Sequence, residues 1–266
     1  MSKSRIILFF FVFFLFPPFI RADYISALNT YKSTYDGYRL VYQNYVQAKN
    51  TFLKYRTLNS QSEALDKTKL FLKSRDDTLI TYYTVLKEKI AIAEGVLPYD
   101  KNLKQNLIDF RIAQFSKHKE SIDALASIED TITKNKDIES LNALLFTESN
   151  QIVGLILIGK VRNEGDILGK TIDDLTGTIN SMKLNNDNME KLERWLLDTN
   201  YKFELGNNKL IQSRSMFDSI QNNYSNQIQK DVLNARTVLF EGNQYFKETG
   251  YNALEAIKEV KTGPYK

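Results

Sequence analysis

The stretch YKSTYDGYRLVYQNY, residues 31–45, places tyrosine at positions 31, 35, 38, 42 and 45. The spacings of 4, 3, 4 and 3 are the heptad repeat of a helix seam, not the alternation of a strand. Tyr24 and Leu28 extend the seam upstream and Phe52 extends it downstream, with one break at Lys49. Ala27, Val41 and Ala48 widen the stripe, so the pattern predicts a helix from about Tyr24 to Thr57. Tyr31, Tyr35, Tyr38, Tyr42 and Tyr45 are a candidate partner-binding seam, because tyrosine offers a large rigid ring with a polar tip. The 3.5-residue spacing also describes a packed face. Rings at every position suit a bundle margin, with ring bodies buried and hydroxyls wet.

The same periodicity continues along the chain. Leu58-Asn59 reads as a turn, and Ser60 with Glu63 as a capping box that opens a second helix. That helix carries Leu65, Leu72, Leu79, Tyr83, Leu86, Ile90 and Ala93, and Gly95 and Pro98 mark its end. A short link between helices of similar length predicts an antiparallel hairpin. Asp100 reads as the cap of a third helix, with Leu103, Leu107, Phe110, Ile122, Leu125, Ile128 and Ile132 inward. A fourth begins near Ile138 and resumes through Leu168, Ile172, Leu175, Ile179 and Met182. The polar run 185–188 is a turn and a point of subdivision. A break is expected at Gly206-Asn207-Asn208, then a long helix ending near Gly250. The expected fold is all-α: an elongated antiparallel up-and-down bundle of four to six long helices with coiled-coil character.

The N-terminus carries a different message. Lys3 and Arg5 precede an unbroken apolar run from Ile6 to Phe16, Pro17-Pro18 closes it, and Ala22 is a small residue suited to a cleavage site. This is the layout of a secretory signal peptide, residues 1–22, cut after Ala22. Residues 6–20 make a helix of about 22 Å, short of the roughly 30 Å of hydrocarbon in a bilayer. An uncleaved anchor is the rival reading. Asp23 stands where a lipoprotein would carry cysteine. The bundle is then expected over 23–266, in a secreted or cell-envelope location.

Removing the signal changes the charge balance. Three of the 36 basic residues (Lys3, Arg5, Arg21) and none of the 32 acidic ones lie in it, so the remainder carries +1. That surplus is too small for a nucleic-acid partner. The chain has no cysteine, which excludes disulfides, thiolate metal sites and thiol catalysis.

One segment invites sharper readings. QIVGLILIGKVRNEGDILGKTIDDLTG, 151–177, holds Gly154, Gly159, Gly165, Gly169 and Gly177. GDILGKT resembles a P-loop, yet it is one residue short of the required spacing and carries Glu164 and Asp166 where phosphates would sit. The apolar run 152–158 invites a membrane-active reading but is too short to cross a bilayer as a helix. The remaining reading is a buried helix, bent or interrupted, whose glycines serve as hinges or close-packing sites.

Catalytic constellations are sparse. His118 is the only histidine and lies among charges in SKHKE, so an exposed side chain is expected. Asp76-Asp77 and Asp173-Asp174 are adjacent pairs whose side chains diverge by about 100° on a helix, and they read as solvated faces. Asn223-Tyr224-Ser225 matches a glycosylation sequon. No cofactor, metal or catalytic residue is assigned. The expectation is an exported helical protein with a structural or protein-interaction role and a protein or envelope partner. The alternatives are an extracytoplasmic ligand-binding or sensor bundle and a helical pore-former.

Overall fold

The computed structural model describes residues 19–183, 189–221 and 225–262. These form helices α1 (Phe19–Tyr55), α2 (Leu58–Ala91), α3 (Pro98–Ser121), α4 (Ile128–Glu139), α5 (Asn142–Lys183), α6 (Glu190–Asp218) and α7 (Ser225–Thr262). Among the described residues there is no strand, and the architecture is an all-α helical bundle. The run QIVGLILIGKV, short enough to pass for a strand, lies within α5. The candidate export signal lies outside the described residues, except that 19–22 open α1. The polar turn 185–188 and Asn223-Tyr224 also lie outside them.

The chain divides into two compact units. One holds residues up to Ile92 together with Gln105–Asn135; the other holds Ala93–Lys104 and Lys136–Lys266.

In the first unit α1 and α2 are antiparallel. Tyr31 meets Tyr82 and Tyr45 meets Phe71, with ring centroids 5.6 and 4.7 Å apart. The link is Arg56-Thr57, two residues before the expected Leu58-Asn59, which instead open α2. Arg56 adopts a left-handed φ of 51° and donates its N–H to the Phe52 carbonyl at 2.9 Å, which closes α1. Thr57, not Ser60, is the N-cap of α2. The Ser60 N–H donates to Thr57 Oγ1 at 3.2 Å, and the Thr57 N–H donates to Ser60 Oγ at 3.0 Å. Ser60 therefore supplies the reciprocal half of the box rather than its start.

The third helix differs most from its sequence pattern. It begins at Pro98, whose fixed φ and missing N–H suit a first helical turn, so Asp100 lies inside the helix. Its buried face in this unit is Ile108, Arg111, Phe115 and His118, continued by the buried Ile122 just past its end. Leu103, Phe110 and Ile132, expected inward, are 51%, 60% and 53% exposed. The helix stops at Ser121, and α4 opens with its own box: the Asp130 N–H donates to Ser127 Oγ and the Ser127 N–H to Asp130 Oδ2, both at 3.0 Å.

The second unit is an up-down-up arrangement of α5, α6 and α7. Lys202–Glu248 and Lys209–Glu241, each 2.6 Å, run antiparallel between α6 and α7. Its core includes Ile158, Val161, Leu210, Phe217, Ile228, Leu239 and Phe246. A second cluster joins Leu175, Ile179, Met189, Leu192 and Ala256. α6 runs through Gly206-Asn207-Asn208 without a break, and α7 runs through Gly250. Gly206 has a packing role, since a Cβ there would stand 2.7 Å from the Phe246 ring.

Candidate functional site

The tyrosine seam of α1 separates into two rows. Tyr31, Tyr38 and Tyr45 are half-buried against α2, while Tyr35 and Tyr42 are 44% and 46% exposed. Neighbouring rings along the seam stand 6.1–6.3 Å apart, forming a continuous ladder. Burial raises the phenol pKa of Tyr31 and Tyr38, because the phenolate is harder to form away from water. Phe71 of α2 sits under the C-terminal half of the ladder, 5.8, 5.6 and 4.7 Å from Tyr38, Tyr42 and Tyr45. Ala48 is the one buried residue among the described side chains of α1. The helix is thus held by one face and displays the rest.

The glycine-rich segment is a single uninterrupted helix, α5. Gly165 to Thr171 lie within it, so their amides serve helical hydrogen bonds and do not form a phosphate cradle. Four of the five candidate glycines face close neighbours. A Cβ at Gly154 would overlap the Phe217 ring, and one at Gly159 would stand 2.7 Å from the Glu94 carbonyl oxygen. At Gly165 and Gly169 the nearest atoms are Phe246 Cζ at 2.9 Å and Phe203 Cζ at 3.2 Å. Gly177 has nothing within 4 Å. The turn after α2 presses on α5 at Gly159: Gly95 has φ +69°, and a Cβ there would overlap the Gly159 carbonyl.

Two polar clusters were not legible in sequence. In the first unit His118 is 6% exposed and Asp76 is 0% exposed, contrary to the solvated surface expected of both. His118 Nδ1 lies 2.5 Å from Asp76 Oδ2, and Nε2 lies 3.0 Å from the Lys134 carbonyl. Arg75 adds a contact to Asp76 Oδ1 at 3.3 Å and donates to Asn135 Oδ1. The cluster ties α2, α3 and the end of α4 together. His118 and Asp76 are both buried, and each turns its polar atoms to neighbouring elements. The one available signal was the seven-residue spacing of Arg111 and His118, which interleave with Ile108, Phe115 and Ile122.

In the second unit Arg214 makes a two-pronged pair with Asp100, at 3.0 and 3.1 Å, and donates from Nε to Asp218 at 2.6 Å. The Arg214 hydrogen bonds hold the Asp100 carboxyl below its ordinary range and raise the guanidinium further. Burial lowers the ammonium pKa of nearby Lys104. Asp173 and Asp174 are exposed. Among the described residues no group of His, Asp and Glu has the arrangement of a metal site.

Comparison with family models, with curated proteins and with solved structures finds no match to this chain.

Proposed function

We propose that the chain is an exported, extracytoplasmic helical protein whose role is structural or protein-binding, and that α1 carries its interaction face. The observation that carries this reading is the division of the tyrosine ladder. One row, Tyr31, Tyr38 and Tyr45, is half-buried against α2; the other, Tyr35 and Tyr42, is more exposed at the edge of the hairpin, with Tyr42 still touching Phe71. Tyrosine at such an edge supplies large contact area at low entropic cost. The signal-like layout of residues 1–22 supports export. The buried use of His118 and Asp76 as a helix clamp supports a non-enzymatic role.

N-terminal sequencing of the chain recovered from cell fractions tests the export half. The expected product begins at Asp23 and is found outside the cytoplasm. An intact chain confined to the cytoplasm would overturn it.

One observation favours a second reading, the membrane-active one. The stretch Ile128–Met182 contains a window apolar enough to cross a membrane, with mean hydropathy 1.4. That window is 44% buried, and Ile152, Leu155, Ile158 and Val161 lie in the interior. Leakage of dye from liposomes exposed to the protein would favour this reading; intact liposomes across varied lipids would remove it.

A further inference from the structure

Beside the packed face of α1 runs a second stripe. Lys32, Tyr35, Arg39, Tyr42, Val46 and Lys49 follow at spacings of 3, 4, 3, 4 and 3. Ile25 and Leu53 prolong it at the same period, and both are exposed. All but Val46 of the six are exposed as well. The stripe contains three cations and no acid. None of the three cations makes a salt bridge among the described residues, whereas three cations of α2 and α3 do: Lys73 with Asp123, Lys87 with Asp109, Lys119 with Asp77.

We infer that this stripe docks an acidic amphipathic helix of a partner protein, one with apolar residues at heptad spacing flanked by Asp or Glu. The inference rests on α1 being the interaction face. The alternating period is that of a helix–helix seam, in which side chains of one helix enter the spaces of another. Charge complementarity then sets the partner's sign, because Lys32, Arg39 and Lys49 are the charges of the stripe and Asp36, in the adjoining row, is the one acid beside them on α1. A second copy of α1 would set cations against cations. A lipid surface would need a broad apolar arc, yet the next row around the helix is Asn29, Asp36, Gln43 and Asn50.

The test measures binding of the purified full-length chain to two labelled peptides of about four heptads. Both carry leucine at the seam, one with glutamate flanks and one with lysine flanks. Vesicles of phosphatidylcholine, with and without phosphatidylglycerol, form the third arm. The acidic peptide is expected to bind roughly tenfold more tightly than the basic one. Lys32→Glu/Arg39→Glu/Lys49→Glu should reverse that preference with helicity unchanged. Equal binding of the two peptides, an unreversed preference, or binding to anionic vesicles alone would overturn the inference. Tyr35→Ser/Tyr42→Ser separates the two levels. If it abolishes peptide binding while charge reversal has no effect, the face stands and the acidic partner falls. If neither variant weakens binding, the face itself falls.

Discussion

His118 Nδ1 lies 2.5 Å from Asp76 Oδ2 inside a bundle whose sequence offers no second histidine. Removing one partner of a buried pair leaves the other without compensation, at about 3–5 kcal/mol. Asp76→Ala is therefore expected to lower unfolding stability by that amount in urea titration. The paired replacement Asp76→Leu/His118→Leu should cost less than the two single changes summed, because neither polar group is then orphaned. A single-variant loss below about 1 kcal/mol would contradict the clamp.

The Asp100–Arg214 pair predicts acid sensitivity. Its hydrogen bonds to Arg214 hold the folded carboxyl below the ordinary carboxylate value of 3.8. The stability it contributes is present above that unfolded value and is lost as pH falls through the lower folded one. Unfolding midpoints measured from pH 6 down to about pH 2 should therefore fall more steeply for the wild type than for Asp100→Asn. Parallel curves would show that the pair contributes nothing.

The glycines of α5 predict opposite signs for one substitution. Gly154→Ala drives a methyl into the Phe217 ring and should destabilise by about 1–3 kcal/mol. Gly177→Ala meets open space and should stabilise by up to about 1 kcal/mol through helix propensity. Thermal melts of the two variants decide the matter, and equal shifts would remove the packing account.

What was legible in the sequence follows from this packing. The tyrosine seam and the second helix were readable, because their apolar residues keep the heptad period and most face inward. The buried face of α3 was not readable, because it carries Arg111 and His118 while Leu103 and Phe110 face outward. A hydrophobicity pattern has no means of recognising a polar group whose hydrogen-bond partner lies 42 positions away, as Asp76 does from His118. Gly206 and Gly250 resemble stops, but α6 and α7 pass through them. The close ring of Phe246 explains the glycine at 206, and Leu168 Cδ2 stands 3.6 Å from a Cβ at 250. The true cap Thr57 was masked by the equally plausible Ser60-x-x-Glu63 spacing.

The two rows of the ladder predict different responses to truncation. Tyr38→Ser/Tyr45→Ser removes ring contacts to Phe71 and should lower stability by about 2–4 kcal/mol, with both rings only half-buried. Tyr35→Ser/Tyr42→Ser removes more exposed rings and one contact to α2, Tyr42 with Phe71 at 5.6 Å, and should cost less than the first pair, about 1 kcal/mol. Urea titration of the two pairs separates the rows.

The most direct test of the interaction face is capture of a partner from envelope extract by the wild type and by Tyr35→Ser/Tyr42→Ser, with circular dichroism recorded on both. The account predicts that the variant loses the partner and keeps its helicity. A variant that keeps the partner, or that loses helicity along with it, would contradict the claim that the open row of α1 is there to bind.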